Sequence, residues 1–397
     1  SVAVRETASD AETAESSSEF HTRRIFPSMP LIPLIKPVIG KEEEDLVLEV
    51  LRSGWLAEGK FARQFEEEFA EFVGARRAVV STSCTTAMTM SLKAMRVGKG
   101  KRVAVPDFTH PASALAAIAV GASPVLVDVE LETRNVNLHA LLPELKRRRI
   151  DAVIPVSWGG MPLDPSGVRE VEESGLLVLE DSACSVGAEY DGVKTGSMSQ
   201  ISVFSFHPRK LIATGEGGMI TTMRDDYAEK LQSLKNFGEV KGSFKEFGYN
   251  FHMSDILAAV GLAQLRKLPQ IIERRIQLAE HYDKLLYEAN QELGDLKFLP
   301  PSNPSSTVKH TYQSYTVYLE HGRRDRILEE LRAKGIGAQI GTYALHEQPY
   351  YRSLPRIGRL KNSALLGDRL LTLPMSHNMT SEAVSYTHLT LPTNREV

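Results

Sequence analysis

One lysine stands where an apolar run gives way to a glycine-bracketed loop. In "VFSFHPRKLIATGEGGMITT" (203–222), the β-rich run 201–206 leads into His207-Pro208, then Lys210, then Gly215-Glu216-Gly217-Gly218. Alone, such a lysine reads as a surface residue on a hairpin. Its context is set by residues elsewhere. "LLVLED" (176–181) carries the Asp181 carboxylate to the end of an apolar strand, where it either meets a cation or caps the next turn. "SCTTAM" (83–88) opens a helix with hydroxyls and backbone N–H groups, an arrangement suited to a phosphate or to ordinary capping. Ser205 adds a hydroxyl and His110 a flat ring. Pyridoxal 5'-phosphate (PLP) needs these parts together. A lysine amine, with an ordinary pKa of about 10.4, must be held so that its neutral form reaches an aldehyde. A carboxylate must keep the pyridine nitrogen protonated, and a helix N-terminus must hold the phosphate.

Such residues have to be delivered by a scaffold. Short, nearly continuous apolar runs recur as "RAVVST" (77–82), "RVAVPDF" (102–108), "SPVLVDVE" (123–130), "DAVIPVS" (151–157), "LLVLED" and "ISVFSF" (201–206). Helical stretches such as "TTAMTMSLKAM" and "PASALAAIAVGA" separate most of them. This alternation predicts an α/β fold with a mostly parallel sheet and helices on both faces. Ligands gather at the carboxyl ends of parallel strands. The polar clusters 83–86, 107–110, 157–160, 181–182 and 205–210 all fall there. After residue 253 the texture changes to a helix, a break at Pro269, a second long helix, the strand "SYTVYLE" (314–320) and further α+β elements.

With 397 residues the chain exceeds one small core, and two domains are expected. Residues 31–265 would form the large PLP-binding α/β domain and 266–383 a smaller α+β C-terminal domain. Residues 1–30 are polar, lack an apolar signal region and read as a disordered tail. A net charge of -3 leaves no basic footprint, which argues against nucleic acid as a main partner. No apolar run reaches the roughly 18 residues of a membrane span. Two cysteines, Cys84 and Cys184, exclude a disulfide scaffold and suit the cytoplasm. No metal site is expected.

The segments "SGWLAEGKFARQFEEEFAEFVGA" (53–75), "VPDFTHPASA" (105–114), "VLEDSACSVGAEYDG" (178–192), "FSFHPRKLIATGEGGMITT" (204–222) and "GYNFHMSDILAAVGLAQL" (248–265) resemble the DegT/DnrJ/EryC1/StrS family of PLP-dependent sugar aminotransferases, of fold type I. The resemblance spans residues 33–375. It implies that Lys210 carries the cofactor and later moves the proton, and that Asp181 pairs with the pyridinium nitrogen. Ser205, Cys84 and Thr85 would take the phosphate, and His110 would stack on the ring. Asn250 would reach the phosphate of the other subunit, implying a homodimer with shared active sites, and Trp55 would line the same cleft. The implied reaction is ping-pong transfer of an amine, with glutamate as donor, to a nucleotide-linked keto-sugar in surface-polysaccharide or secondary-metabolite synthesis.

Several positions depart from the family pattern. Cys184 replaces a glutamine or histidine beside the cofactor's hydroxyl, Ser157 a histidine, and His252 an arginine after "GYN". His346 is a candidate sugar contact, with a structural histidine as the alternative. Some family members carry histidine in place of the lysine and dehydrate instead; Lys210 argues against that branch. Another fold type I enzyme, or a PLP-binding regulator without turnover, stays open. Finally, "VSYTHLTLPT" (384–393) matches a reading frame of a transposase adapter used in sequencing. Residues 384–397 are therefore expected to be artefactual and without helical period.

Overall fold

Left-handed glycine caps at Gly54 and Gly74 stop the two helices that lead into the main sheet, α1 (Lys41–Ser53) and α2 (Lys60–Val73). The computed structural model describes residues 32–292, 298–301, 304–320, 322–389 and 391; the expected N-terminal tail lies outside the described residues. α2 earns its place through Phe61, Phe65 and Phe69, spaced on one face and buried. Phe69 meets Phe204 and Phe206 at ring-centroid distances of 4.9 and 5.7 Å, so this helix anchors the strand that precedes the lysine.

Seven apolar runs and one late return make the main sheet. They are β1 (Arg77–Ser81), β2 (Arg102–Pro106), β3 (Ser123–Val127), β4 (Ala152–Val153), β5 (Leu177–Asp181), β6 (Ile201–Ser205), β7 (Gly218–Thr222) and β11 (Arg356–Ile357). Their order is β1-β7-β6-β5-β4-β2-β3-β11. Only β7 runs antiparallel to its neighbours β1 and β6, and the other pairings are parallel. β1 and β6 therefore point the same way. The ends of β1, β5 and β6 share one edge with the start of β7. Ser83, Asp181, Ser205 and Gly218 are brought to that edge. The run 151–157 is regular only at Ala152–Val153, because Pro155 has no N–H to give the ladder.

The helices α3 (Cys84–Ala94), α4 (Ala112–Ala119), α5 (Leu138–Arg147), α6 (Pro165–Glu173) and α7 (Asp225–Lys235) flank this sheet. Residues alternate across β5: Leu179 joins the core beneath α3 and α4, whereas Val178 joins the core on the opposite face. Asp181 shares the face of Leu179, and Glu180 that of Val178. This one-residue alternation separates the two neighbouring carboxyl groups.

The expected break at Pro269 does not occur. One helix, α8 (Asp255–Glu292), runs through it. Leu265, Leu268, Ile271 and Ile272 bury that stretch against α2, while Leu278, Tyr282 and Leu286 bury the next against the second sheet. Burial on both sides outweighs the missing hydrogen bond of the proline. The second sheet comprises β8 (Phe298–Leu299), β9 (Tyr315–Leu319), β10 (Gln339–Ile340) and β12 (Leu370–Leu373), in the order β8-β9-β12-β10, with α9 (Arg324–Ala333) and α10 (Lys361–Arg369) beside it. The stretch 343–360 leaves this unit and returns to the main one, where Leu345, Tyr351 and Leu360 join the α3/α4 core. The absence of helical period expected for 384–397 is also corrected, because α11 (Ser381–Leu389) is a helix. Its Val384 is fully buried and Leu391 beyond it nearly so, in the core of the second unit. Residues 390 and 392–397 lie outside the described residues.

Candidate active site

Lys210 lies in a closed loop. Phe206 N–H donates to the Gly217 carbonyl at 3.0 Å, Thr214 N–H donates back to Phe206 at 2.9 Å, and Lys210 N–H donates to the His207 carbonyl at 2.8 Å. Phe206 and Ile212 are buried and hold the loop down, while Gly215 takes a positive φ of 95°. The side chain then turns inward, and Lys210 Nζ stands 3.0 Å from Cys184 Sγ. Burial depresses the Lys210 amine, but Cys184, Asp181 and Cys84 act the other way and leave it above its ordinary value.

Asp181 is buried at the end of β5. Its Oδ2 accepts from Ser113 Oγ at 2.7 Å and its Oδ1 from the Ala183 N–H at 3.2 Å. Both bonds fix the direction of the carboxylate. Glu180, on the opposite face, accepts from Ser157 Oγ at 2.6 Å and Ser202 Oγ at 2.8 Å. The serine that departs from the family pattern thus serves this second carboxyl group rather than the lysine site.

The first turn of α3 makes a corner whose chemistry suits an anion. Ser83 Oγ accepts from Thr86 N–H at 3.2 Å, and Thr86 Oγ1 accepts from Ser83 N–H at 3.0 Å. With those hydroxyls engaged, the first-turn N–H groups of Cys84 and Thr85 remain as the outward donors. Ser205 pairs in register with Gly218, and Gly218 lies against the start of α3. A Cβ on Gly218 would come within 2.6 Å of Ser83 C and O and 2.7 Å of Cys84 N. Only glycine lets the strand end close the cradle. Burial pushes the Cys84 thiol well above its ordinary value, with Asp181 adding and Lys210 opposing.

His110 is exposed, with Nδ1 accepting from Ala112 N–H at 3.2 Å. Loss of solvent around the ring and then Lys210 lower its pKa, against the opposing pull of Asp181. These residues fit PLP: an amine and an imidazole ring within electrostatic reach of a fixed buried carboxylate, and a helix N-terminus closed by a glycine at the same sheet edge.

Three expected residues form no hydrogen bond with Lys210 among the described residues. Asn250 is exposed and bridges Asn236 through backbone. Trp55 is 62% exposed, its Nε1 donating to the Glu58 carbonyl at 3.3 Å. His346 is held by Asp107, with Nδ1 at 2.6 Å from Oδ2 and its N–H donating to Oδ1 at 2.8 Å, a link that pins the 343–347 segment to the main unit. Two others went unassigned in the sequence. Ser113 carried a signal, being a hydroxyl in the first turn after a strand end. Glu180 carried none, since its partners are distant in sequence.

Residues 37–390 match the DegT/DnrJ/EryC1/StrS aminotransferase family. The chain is 36% identical to GDP-perosamine synthase of Caulobacter vibrioides, over 89% of this chain and 95% of that protein. Among solved structures it is similar to Helicobacter pylori PseC, an aminotransferase involved in pseudoaminic acid biosynthesis (27% identity, TM-score 0.83, 91% of this chain and 98% of the other). It is similar also to Spr1654 of Streptococcus pneumoniae in its PLP form (26% identity, TM-score 0.84, 91% and 97%).

Proposed function

We propose, for a chain that belongs to the DegT/DnrJ/EryC1/StrS family and is a PLP-dependent sugar aminotransferase, that the acceptor is a keto-sugar carried on a nucleotide and the donor is glutamate. The observation that carries this reading is the likeness, over nearly the whole of both chains, to a protein named for a GDP-linked sugar. The site's chemistry supports it. PLP, when bound, supplies an electron-withdrawing ring that stabilises negative charge developing at the donor's α-carbon. Lys210 is the group that takes and returns the proton there. Asp181, oriented by Ser113 and the Ala183 N–H, presents its carboxylate to the ring nitrogen. The Cys84 and Thr85 N–H groups with the Ser205 hydroxyl hold the phosphate. Cys184 sits against the lysine amine, and His110 faces the ring.

Two copies complete the site in this reading. The surface bearing Asn250 and Trp55 also exposes Phe237, Phe244 and Phe247, an apolar group that suits burial by a second copy. Cytoplasmic residence is supported by two free cysteines, and no described helix is long and apolar enough to cross a membrane. The pathway belongs to amino-sugar synthesis for a surface polysaccharide or secondary metabolite.

The test is direct. Glutamate added to purified holoenzyme should bleach the visible absorbance of the cofactor. A panel of nucleotide 3- and 4-ketosugars should then yield, by mass spectrometry, one product with nitrogen in place of the keto oxygen. Absorbance untouched by glutamate and by other amino acids refutes the reading.

A further inference from the structure

We infer that Cys184 is a positioning residue for Lys210: its sulfur holds the amine while the lysine is free and keeps it off the Asp181 carboxylate. The inference rests on the aminotransferase reading above, in which the lysine is freed and rebound in every cycle. Lys210 Nζ donates to Cys184 Sγ at 3.0 Å, and among the described residues this is the amine's one hydrogen bond. Asp181 and Cys84 act on the amine through space, with no hydrogen bond to it among the described residues. His110 and His207 also lie within its electrostatic reach, and both feel it as a cation. An ammonium brought near a carboxylate ordinarily pairs with it. Here the carboxylate is turned to Ser113 and the Ala183 N–H, and the amine to the sulfur. The family resemblance places residue 184 beside the cofactor's hydroxyl, whereas the contact in this chain is to the lysine.

The sulfur is delivered by a turn that starts at Asp181 itself. Ser182 N–H donates to the Val203 carbonyl of β6 at 2.9 Å, and Ser185 N–H to the Ser182 carbonyl at 3.1 Å. Ala188 N–H donates to the Ser185 carbonyl at 2.9 Å, and Thr195 Oγ1 ties the same carbonyl from outside the turn at 2.5 Å. Ser182, Ser185 and Val186 are buried on either side, whereas Cys184 is half-buried, as Lys210 is. Two residues three apart thus bring a carboxylate and a sulfur to one amine, on a backbone tied to β6 and to residue 195. The type of acceptor matters. A carboxylate at position 184 would grip the ammonium in a charge-assisted bond, whereas sulfur is a weak acceptor. A weak hold suits an amine that must leave its partner in every cycle and give up and regain a proton. Burial is the largest influence on the amine and Cys184 the next, acting against it in favour of the charged form.

The experiment starts from the full chain freed of cofactor, where the lysine is unbound. Wild type, C184A and C184S are acetylated with limiting acetic anhydride at about pH 8, below the ordinary lysine pKa. The peptide carrying residue 210 is quantified by mass spectrometry against other lysine peptides of the same sample. C184A should acetylate Lys210 roughly 3- to 30-fold faster, because an amine without the sulfur is uncharged more of the time. C184S should fall between, since its hydroxyl opens similar space but still accepts the N–H. In the holoenzymes, the acid limb of the pH profile for glutamate-driven bleaching should move to lower pH in C184A, and by less in C184S. A residue with only a packing role would lower that rate at every pH without moving the limb. Equal acetylation of wild type and C184A overturns the inference. Equal acceleration in C184A and C184S with the limb unmoved overturns it too, because access alone then explains the labelling. Matching melting temperatures show that the variants fold, and the limb in C184S carries the comparison if C184A does not. Failure of the wild-type holoenzyme to bleach with any amino acid overturns the aminotransferase reading instead, and the acetylation arm still decides whether the sulfur holds the amine.

Discussion

Ser113 Oγ donates a 2.7 Å hydrogen bond to Asp181 Oδ2, joining the first turn of α4 to the end of β5 across 68 residues of chain. The contact is buried and one partner is charged. Its removal is worth roughly 1.5–3 kcal/mol to whatever depends on that carboxylate. Ser113→Ala should therefore slow the glutamate-driven bleaching about tenfold or more while leaving the melting temperature within a few degrees. Asp181→Asn, which removes the charge itself, should slow it by a factor of roughly 10² to 10⁴. A Ser113→Ala rate equal to wild type would show that the hydroxyl does not orient the acid.

Lys210 should be the point of covalent attachment. Borohydride reduction of the holoenzyme, followed by peptide mass spectrometry, should leave the cofactor on the peptide carrying residue 210. Lys210→Ala should show no such peptide and should lose the half-reaction. The phosphate cradle does not depend on the amine, so the variant should still bind the cofactor non-covalently. A modified peptide elsewhere would remove Lys210 from its assigned role.

Gly218 tests the cradle. A methyl group at this position meets backbone atoms of Ser83 and Cys84, which have no flexible end to swing away. Gly218→Ala should displace the start of α3 at a cost of about 1–3 kcal/mol. Cofactor dissociation measured by fluorescence should weaken accordingly. Gly192→Ala is the contrast, because its Cβ would meet nothing within 4 Å. That residue's positive φ gives a stability cost without a change in cofactor affinity.

Much of this site was legible in the sequence because strand ends are local features. Lys210, Asp181, Ser205 and the 83–86 run each lie where an apolar strand meets a polar turn, and a parallel sheet gathers such ends at one edge. What depends on one layer lying over another was not legible. Ser113 meets Asp181 only because the first turn of α4 is brought to the end of β5, and Ser157 meets Glu180 because alternate residues of β5 face apart. Pro269 misled for a related reason. Local propensity marks a break, whereas the buried Leu268 and Ile271 on its flanks decide for a continuous helix. The helical Ser381–Leu389 follows the same rule, its weak amphipathic pattern overridden by burial of Val384.

The exposed aromatic group provides a test of subunit pairing. Phe244 and Phe247 are 74% and 70% exposed, and Phe247 meets Tyr249 edge-on at 4.9 Å, which holds the loop's ring in place. Sedimentation of the wild type should show a dimer at micromolar concentration. Phe244→Asp combined with Phe247→Asp should shift it toward monomer, since two charges cannot be buried unpaired in an interface. Cofactor affinity should fall with it, because Asn250 would no longer reach the neighbouring site. A monomeric wild type with full activity would refute shared sites.

Glu180 supplies a dependence on pH that is separate from catalysis. Burial raises its carboxyl above the ordinary value of 4.5, and the hydroxyls of Ser157 and Ser202 only partly oppose this. A carboxyl whose folded pKa is raised binds its proton more tightly in the folded chain than in the unfolded one. Its stabilising contribution is therefore complete below pH 4.5 and is lost as pH rises through the folded value. Glu180→Gln keeps the shape and has no proton to lose. The stability of wild type minus that of Glu180→Gln, read from urea midpoints, should decline steadily from about pH 5 upward and level off once the buried group is ionised. Ionisation on this face does not touch Asp181, which points to the other side of β5, so the variant should retain the glutamate half-reaction. A stability difference that stays flat or grows with pH would show that Glu180 is ionised in the folded protein at every pH tested.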